Sequence, residues 1–207
     1  MKERPILFNS EMVRAILEGR KTQTRRVVKP QPGDFQRVVR SRDSLSGWGY
    51  ARMISGVQNI TCPYGQPGDR LWVREGFRLI SQLGPETWDT FLHPQYKSDM
   101  KIGHICSIMR EFYKPGWKPS IHMPRWASRI TLEITDVRVE RVQDITDEGI
   151  MAEGFGYNQL REDGRMKNGF PIIDGFADLW DSINAKRGYS WDLNPWVWAI
   201  SFKVKDK

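Results

Sequence analysis

Cysteine and histidine are scarce here: two of the first and three of the second in 207 residues. Two cysteines, Cys62 and Cys106, are too few for a disulfide framework. Neither belongs to a C-x-x-C pair. The H-x-C spacing of His104 and Cys106, with Cys62 and His122 remote in sequence, lacks the second ligand pair that structural zinc requires. No metal and no cofactor are therefore expected. Gly154 and Gly156 do not follow a strand, so they do not form a phosphate-cradling loop. No apolar run approaches the ~18 residues that cross a bilayer, and no secretory leader is recognisable. These absences exclude disulfide scaffolds and membrane spans, and lead us to expect a reducing, cytoplasmic setting with no membrane partner. There is also no internal repeat and no low-complexity tract.

What the chain does have is positive charge and tryptophan. Its formal net charge is +7, and it carries nine tryptophans. The basic excess is concentrated near the front, where Arg20, Lys21, Arg25, Arg26, Lys29, Arg37 and Arg40 face only Asp34. Such a patch favours a polyanion, RNA or DNA. Exposed tryptophans beside arginine make stacking platforms for bases. Arg125 and Trp126 lie side by side in sequence with Arg129 three residues on, and Arg74 lies in a short alternating strand. We take these four as candidate nucleic-acid contacts.

The densest chemistry is Gly19-Arg20-Lys21-Thr22-Gln23-Thr24-Arg25-Arg26. Ser10 is the expected N-cap of a preceding helix whose apolar face holds Val13, Ile16 and Leu17. Gly19 suits the left-handed position that ends it. Thr22, Thr24 and Arg26 then alternate with Gln23, Arg25 and Val27, which predicts a strand with one polar face. A cap followed by a solvated basic strand is the plain reading of that stretch.

Residues 1–8 read as a short strand, and residues 29–60 as an irregular loop with one hairpin around Ser46–Tyr50. Pro67-Gly68-Asp69 marks a turn before a strand over Arg70–Glu75. Residues 77–128 show no sustained periodicity, with His93-Pro94 read as loop, and are treated as an insertion. In Ile130–Val142 the buried-face register changes at Asp136, which predicts a bulge or a bend. Thr146 is placed to cap a short helix through Glu153, ended by Gly154. A polar loop follows over residues 156–171. Asp174 is placed to cap a second helix carrying Phe176, Leu179, Trp180 and Ile183. The last strand places Trp196, Trp198, Ile200, Phe202 and Val204 on one face. The expectation is one α+β, mainly β domain over residues 1–207: a small closed barrel flanked by two or three short helices, with 77–128 inserted in it.

In these pieces the chain resembles the ASCH domain family, whose fold is a PUA-like β-barrel. The family's helix followed by G-x-K-x-x-x-R is matched by Gly19, Lys21 and Arg25. Its G-D turn before a strand is matched by Gly68-Asp69. The resemblance covers residues 5–76 and 129–204. Lys21–Gln31 and Ile121–Arg129 also resemble an uncharacterised branch found in phages and prophages. One ASCH branch comprises small bacterial amidohydrolases that deacetylate N4-acetylcytidine, with the core G-R-K-T-x-T-x-R. Gly19–Thr24 matches it, and arginine then stands at both following positions. The resemblance implies Lys21 as proton acceptor, Thr24 as nucleophile and Glu153 as proton donor. It implies Arg20, Thr22, Arg25 and Arg26 as substrate or nucleic-acid contacts beside Arg74, Arg125, Trp126 and Arg129. Other relatives bind RNA without hydrolysis, and some are nucleases. The expected ligand is thus RNA, DNA or a modified nucleoside. N4-acyl deacylation and ribonuclease activity are the alternatives.

Overall fold

The computed structural model describes residues 1–32, 36–40, 48–52, 56–83, 90–99, 116–156 and 171–205, with only the backbone described for 36–40, 48–52, 56–59, 80–83 and 90–93. It is an α+β arrangement. In chain order the elements are β1 (Glu3–Leu7), α1 (Ser10–Leu17), β2 (Gln23–Val27), β3 (Gln36–Arg40), β4 (Trp48–Arg52), β5 (Gly56–Ile60), β6 (Arg70–Arg74), β7 (Phe77–Leu83), β8 (Thr90–Tyr96), β9 (Thr131–Arg141), α2 (Asp147–Ala152), α3 (Ile172–Asn184) and β10 (Trp196–Val204).

Five of the strands form a mixed sheet in the order β1-β6-β9-β10-β2, with β1 and β6 parallel. Laid flat, four spacings of ~4.8 Å would hold the edges about 19 Å apart. Yet Arg26, in edge strand β2, donates from Nη2 to the carbonyl of Leu7 at the end of edge strand β1, at 2.7 Å. The sheet is therefore strongly curled. No β1–β2 ladder closes it among the described residues, so the closed barrel expected from sequence is observed only as this curl.

The curl has a visible source. Ser201 pairs with Asp136 but Phe202 pairs with Ile134, which leaves Thr135 as one extra residue on β9. This is the bulge expected at Asp136, and bulges bend the strand that carries them. Both segments still turn their apolar residues to one core: Leu132, Ile134, Val137 and Val139 are buried there with Ile6, Phe8, Val13, Ile16, Trp198 and Phe202. The opposite side of β10 packs on α3 through Val142, Trp180 and Val197.

Several expectations need correcting. Asn9, not Ser10, caps α1, because its side-chain oxygen accepts from Met12 N at 2.8 Å. Leu17 is exposed, and Ala15 takes the buried position. The stretch 29–60 holds three strands, β3-β4-β5, and Trp48–Tyr50 lies within β4 rather than at a hairpin tip. His93 and Pro94 lie in β8, which pairs with β7, so 77–128 is not structureless. Its return segment is tied down as well. Lys118 exchanges both backbone hydrogen bonds with Phe77, and Phe77, Met123 and Ala127 form a small buried cluster. Pro171 precedes α3 in place of an Asp174 cap, and Val204 is exposed. The H-x-C pair and most of the 156–171 loop lie outside the described residues.

Asp69, buried in the Gly68 turn, ties β1 to β6. It accepts from Lys2 N at 2.7 Å, Arg4 Nη1 at 3.0 Å and Gln66 N at 3.3 Å. The Lys2 amide, then Arg4 and the Gln66 amide, hold its carboxyl below the ordinary aspartate range. A lowered folded pKa stabilises the fold above the unfolded value, and that stabilisation is lost as pH falls through the folded one. Asp69→Asn should therefore cost about 1–3 kcal/mol at neutral pH. The gap to wild type in urea denaturation should close below roughly pH 4. A pH-independent gap would show that the charge is not what matters.

Candidate functional site

The site begins where α1 stops. Gly19 has φ +72°, and the amides of Arg20 and Lys21 both donate back to the Ala15 carbonyl, at 2.8 and 2.9 Å. The chain is still turning at Lys21. It then pairs briefly with the end of α2, through a Lys21–Glu153 bridge and Thr22 N to Ala152 O at 2.8 Å, before joining β10 as β2. This settles how the residues around Lys21 and Thr24 are presented. Lys21, Gln23, Thr24 and Arg25 are all buried, so the segment is not a strand with one solvated polar face.

Thr146 caps α2 by accepting from Gly149 N, and Glu153 ends it. Gly154 follows at φ +80°, and a Cβ there would sit 2.8 Å from Ala15 Cβ and 3.0 Å from Lys21 Cβ. Glycine is what lets the two chain segments approach. Gly154→Ala combines left-handed strain of about 1–2 kcal/mol with overpacking, for an expected loss of roughly 2–4 kcal/mol in denaturation. A loss under about 1 kcal/mol would mean that the contact yields freely.

That approach creates a buried charge network. Lys21 Nζ donates to Glu153 Oε2 at 2.6 Å and to the Glu153 carbonyl at 2.8 Å. It also lies 5.6 Å from the Phe8 ring centroid. Arg25 Nη1 reaches Glu153 Oε1 at 3.4 Å, while its Nη2 lies 2.7 Å from Glu140 Oε1. Burial pushes the Lys21 amine below its ordinary range. The Glu153 charge and hydrogen bond oppose that, and Arg26 and Arg25 add to it.

In front of this network is a cavity of about 540 Å³, bounded by α1, β2, the end of α2, α3 and the Pro63–Tyr64 turn. Thr24 and Glu153 line it; Lys21 does not, and stands behind Glu153. Tyr64, Phe155, Trp180 and Tyr189 supply aromatic wall, and Asn184 an amide. Trp180 Nε1 donates to the Tyr189 carbonyl at 2.8 Å, which holds that wall together. Five cationic side chains line the cavity, Arg20, Arg25, Arg26, Lys29 and Arg187, against two carboxylates, Glu11 and Glu153.

The sequence candidates therefore divide. Arg20, Thr24, Arg25, Arg26 and Glu153 converge on the cavity, with Lys21 behind; Thr22 is exposed beside them. Arg74, Arg125, Trp126 and Arg129 lie elsewhere, and the three arginines are engaged there. Arg125 makes a two-pronged pair with Glu3, and Arg129 pairs with Glu75 and Asp99. Arg74 donates to the Met123 carbonyl and lies over Trp72. Trp126 is 62% exposed. Glu140, Tyr64, Asn184, Arg187 and Tyr189 were not singled out from sequence. Arg187 carries only the ordinary signal of a basic residue near a helix end. No family model, no curated protein and no solved structure matches the chain.

Proposed function

We propose that the cavity binds a nucleoside unit, either a modified nucleoside or one residue of an RNA strand. The observation that carries this is an aromatic-walled hollow of about 540 Å³ whose lining includes a hydroxyl and a carboxylate, Thr24 and Glu153. Pockets for small ligands run from about 300 to 1,000 Å³, mostly apolar with a few polar groups that fix orientation. A base stacks on Tyr64 or Phe155, and Thr24, Glu153 and Asn184 offer donors and acceptors to its edge. An RNA strand can present such a base only where it is unstacked, at an end or a loop. On this reading the curled sheet is a PUA-like barrel, with Arg26 joining edges that have no ladder. The cytoplasm is the setting that suits the ligand, and the buried Cys62 thiol, pushed up to about 11, stays unreactive there.

Isothermal titration with nucleosides and with RNA and DNA oligonucleotides tests the reading. Wild type should bind, and Tyr64→Ala and Phe155→Ala should each weaken binding by about 1–3 kcal/mol if they carry the stack. Absence of binding to every probe would overturn it.

A second reading is favoured by one further observation, the 2.6 Å contact between a buried amine and a carboxylate that faces the cavity. Such a pair can exchange a proton, so Glu153 can serve as the acid that amide hydrolysis needs, with Lys21 as its reservoir. Thr24 is then the nucleophile towards an N4-acylated cytidine: as its Oγ bonds to the acyl carbon its proton passes to the Lys21–Glu153 pair, Glu153 returns it to the cytosine amine as the C–N bond breaks, and water later hydrolyses the acyl-threonine ester. Incubation with N4-acetylcytidine, with cytidine followed by chromatography, separates this reading from binding alone.

A further inference from the structure

Three of the five cations around the cavity have no carboxylate partner among the described residues. Arg20 is paired with Glu18, and Arg25 with Glu140 and Glu153. Arg26 is different: its Nη2 meets only the Leu7 carbonyl, and its guanidinium lies over Phe8 at 5.2 Å. Lys29 stands over the Tyr189 ring at 5.3 Å. Arg187, two residues before Tyr189, is exposed and close enough to Arg26 for repulsion between them to be felt. Of the two carboxylates in the wall, Glu153 is neutralised by Lys21 and Arg25, and Glu11 is exposed. Arg26 feels Glu153 but stands outside ion-pair distance of it, so the three like charges are only partly offset, and a bound anion relieves their repulsion.

We infer that Arg26, Lys29 and Arg187 form a phosphate subsite beside the base-binding wall, and that the ligand is a nucleotide rather than a bare nucleoside. The inference rests on the nucleoside reading and narrows it. The three cations line a hollow that also has aromatic faces and a hydroxyl, which offers the two kinds of contact a nucleotide needs: phosphate contacts position, and contacts to the base select. Arginine suits the planar recognition of phosphate oxygens, while lysine acts as a point charge. The shared chemistry is a phosphate ester attached to a ribonucleoside. A free monophosphate and a phosphodiester in a strand are its two sources.

Titration calorimetry at fixed ionic strength compares each common ribonucleoside with its 5′- and 3′-monophosphate and with a dinucleotide carrying one internal phosphodiester. A phosphate ester should bind at least tenfold tighter than the nucleoside. The double variant Lys29→Gln/Arg187→Gln, two changes at the cavity rim, should erase that advantage and leave nucleoside affinity within about twofold. Inorganic phosphate should compete with the ester in wild type and not in the variant. An advantage shared by the dinucleotide places the phosphate in a strand, and one confined to the monoester places it in a free nucleotide; both support the subsite. Equal affinity for nucleoside and monophosphate would overturn the subsite and leave the nucleoside reading standing. So would equal weakening of both ligands in the double variant. Failure of all the ligands to bind would overturn both.

Discussion

Glu153→Ala should destabilise the protein by about 3–5 kcal/mol, out of proportion to the carboxyl it removes. Lys21 has no exposed side-chain surface, and Glu153 is its only ion-pair partner among the described residues. Truncating Glu153 leaves the ammonium with one backbone carbonyl at 2.8 Å and the face of Phe8, which does not replace a carboxylate in a water-excluded site. Arg25 suffers less, because Glu140 still holds it at 2.7 Å. The asymmetry gives the test its resolution. Lys21→Met leaves Glu153 with Arg25 and should cost less than Glu153→Ala, and the pair Lys21→Met/Glu153→Leu should recover most of the loss. The pH dependence has a definite sign. The folded pKa of Lys21 lies below its ordinary value, so the unfolded chain binds the extra proton between the two values. Stability should therefore rise with pH across that window, and across a wider one in Glu153→Ala, where the opposing carboxylate is gone. Urea denaturation of the four proteins at several pH values measures all of this. A Glu153→Ala cost below about 1 kcal/mol would show that water reaches the amine.

How much of this could be read in advance depended on how far apart the cooperating residues lie. Local signals were legible. Gly19 and Gly154 were placed at helix ends by the need for positive φ, and Thr146 was placed as a cap by its spacing from a short apolar run. The change of apolar register at Asp136 foretold a bulge or a bend, because alternation on a strand allows no other way to keep both halves on one core. Ser10 has the side chain of a cap, but Asn9 takes that role because its side-chain oxygen accepts from Met12 N. The solvated basic strand failed for a physical reason. Gln23 and Arg25 look exposed by composition, yet Arg25 is buried because its carboxylates arrive from 115 and 128 residues away. No window of sequence contains that pairing. The sheet β3-β4-β5 is not legible in the sequence because its strands are five residues each, too short for alternation to stand out. The arginines outside the cavity show the same limit from the other side. Arg125, Trp126 and Arg129 are near in sequence, but the pairing of the two arginines with Glu3, Glu75 and Asp99 is brought in by the fold and no window of sequence contains it.

On the hydrolase reading, Glu153→Gln should lower the deacylation rate by roughly 10²–10⁴-fold while changing KM only a few-fold. Glutamine keeps the size of the side chain and can still face the cavity, but it cannot give a proton to a leaving amine or take one from Lys21. Lys21→Met should fall in the same range, although its amine does not reach the cavity, because a proton lost from Glu153 must be replaced across the 2.6 Å contact. Thr24→Val removes the hydroxyl that attacks and should abolish turnover, while binding loses only the one hydrogen bond that Thr24 offers the base edge and keeps the aromatic wall and the cations. The three variants thus separate roles that a single loss of activity would merge. Burst kinetics add a second readout: a covalent acyl-threonine should accumulate when its hydrolysis is slower than its formation, and mass spectrometry of the quenched enzyme would detect it. The decisive contrast is between Lys21→Met and Arg26→Lys. Arg26 touches the same cavity and Phe8 but not Glu153 within ion-pair distance, so its replacement should leave the rate constant of the chemical step near wild type. If both variants lose rate equally, Lys21 contributes only field and packing, and the proton does not pass through the Lys21–Glu153 pair.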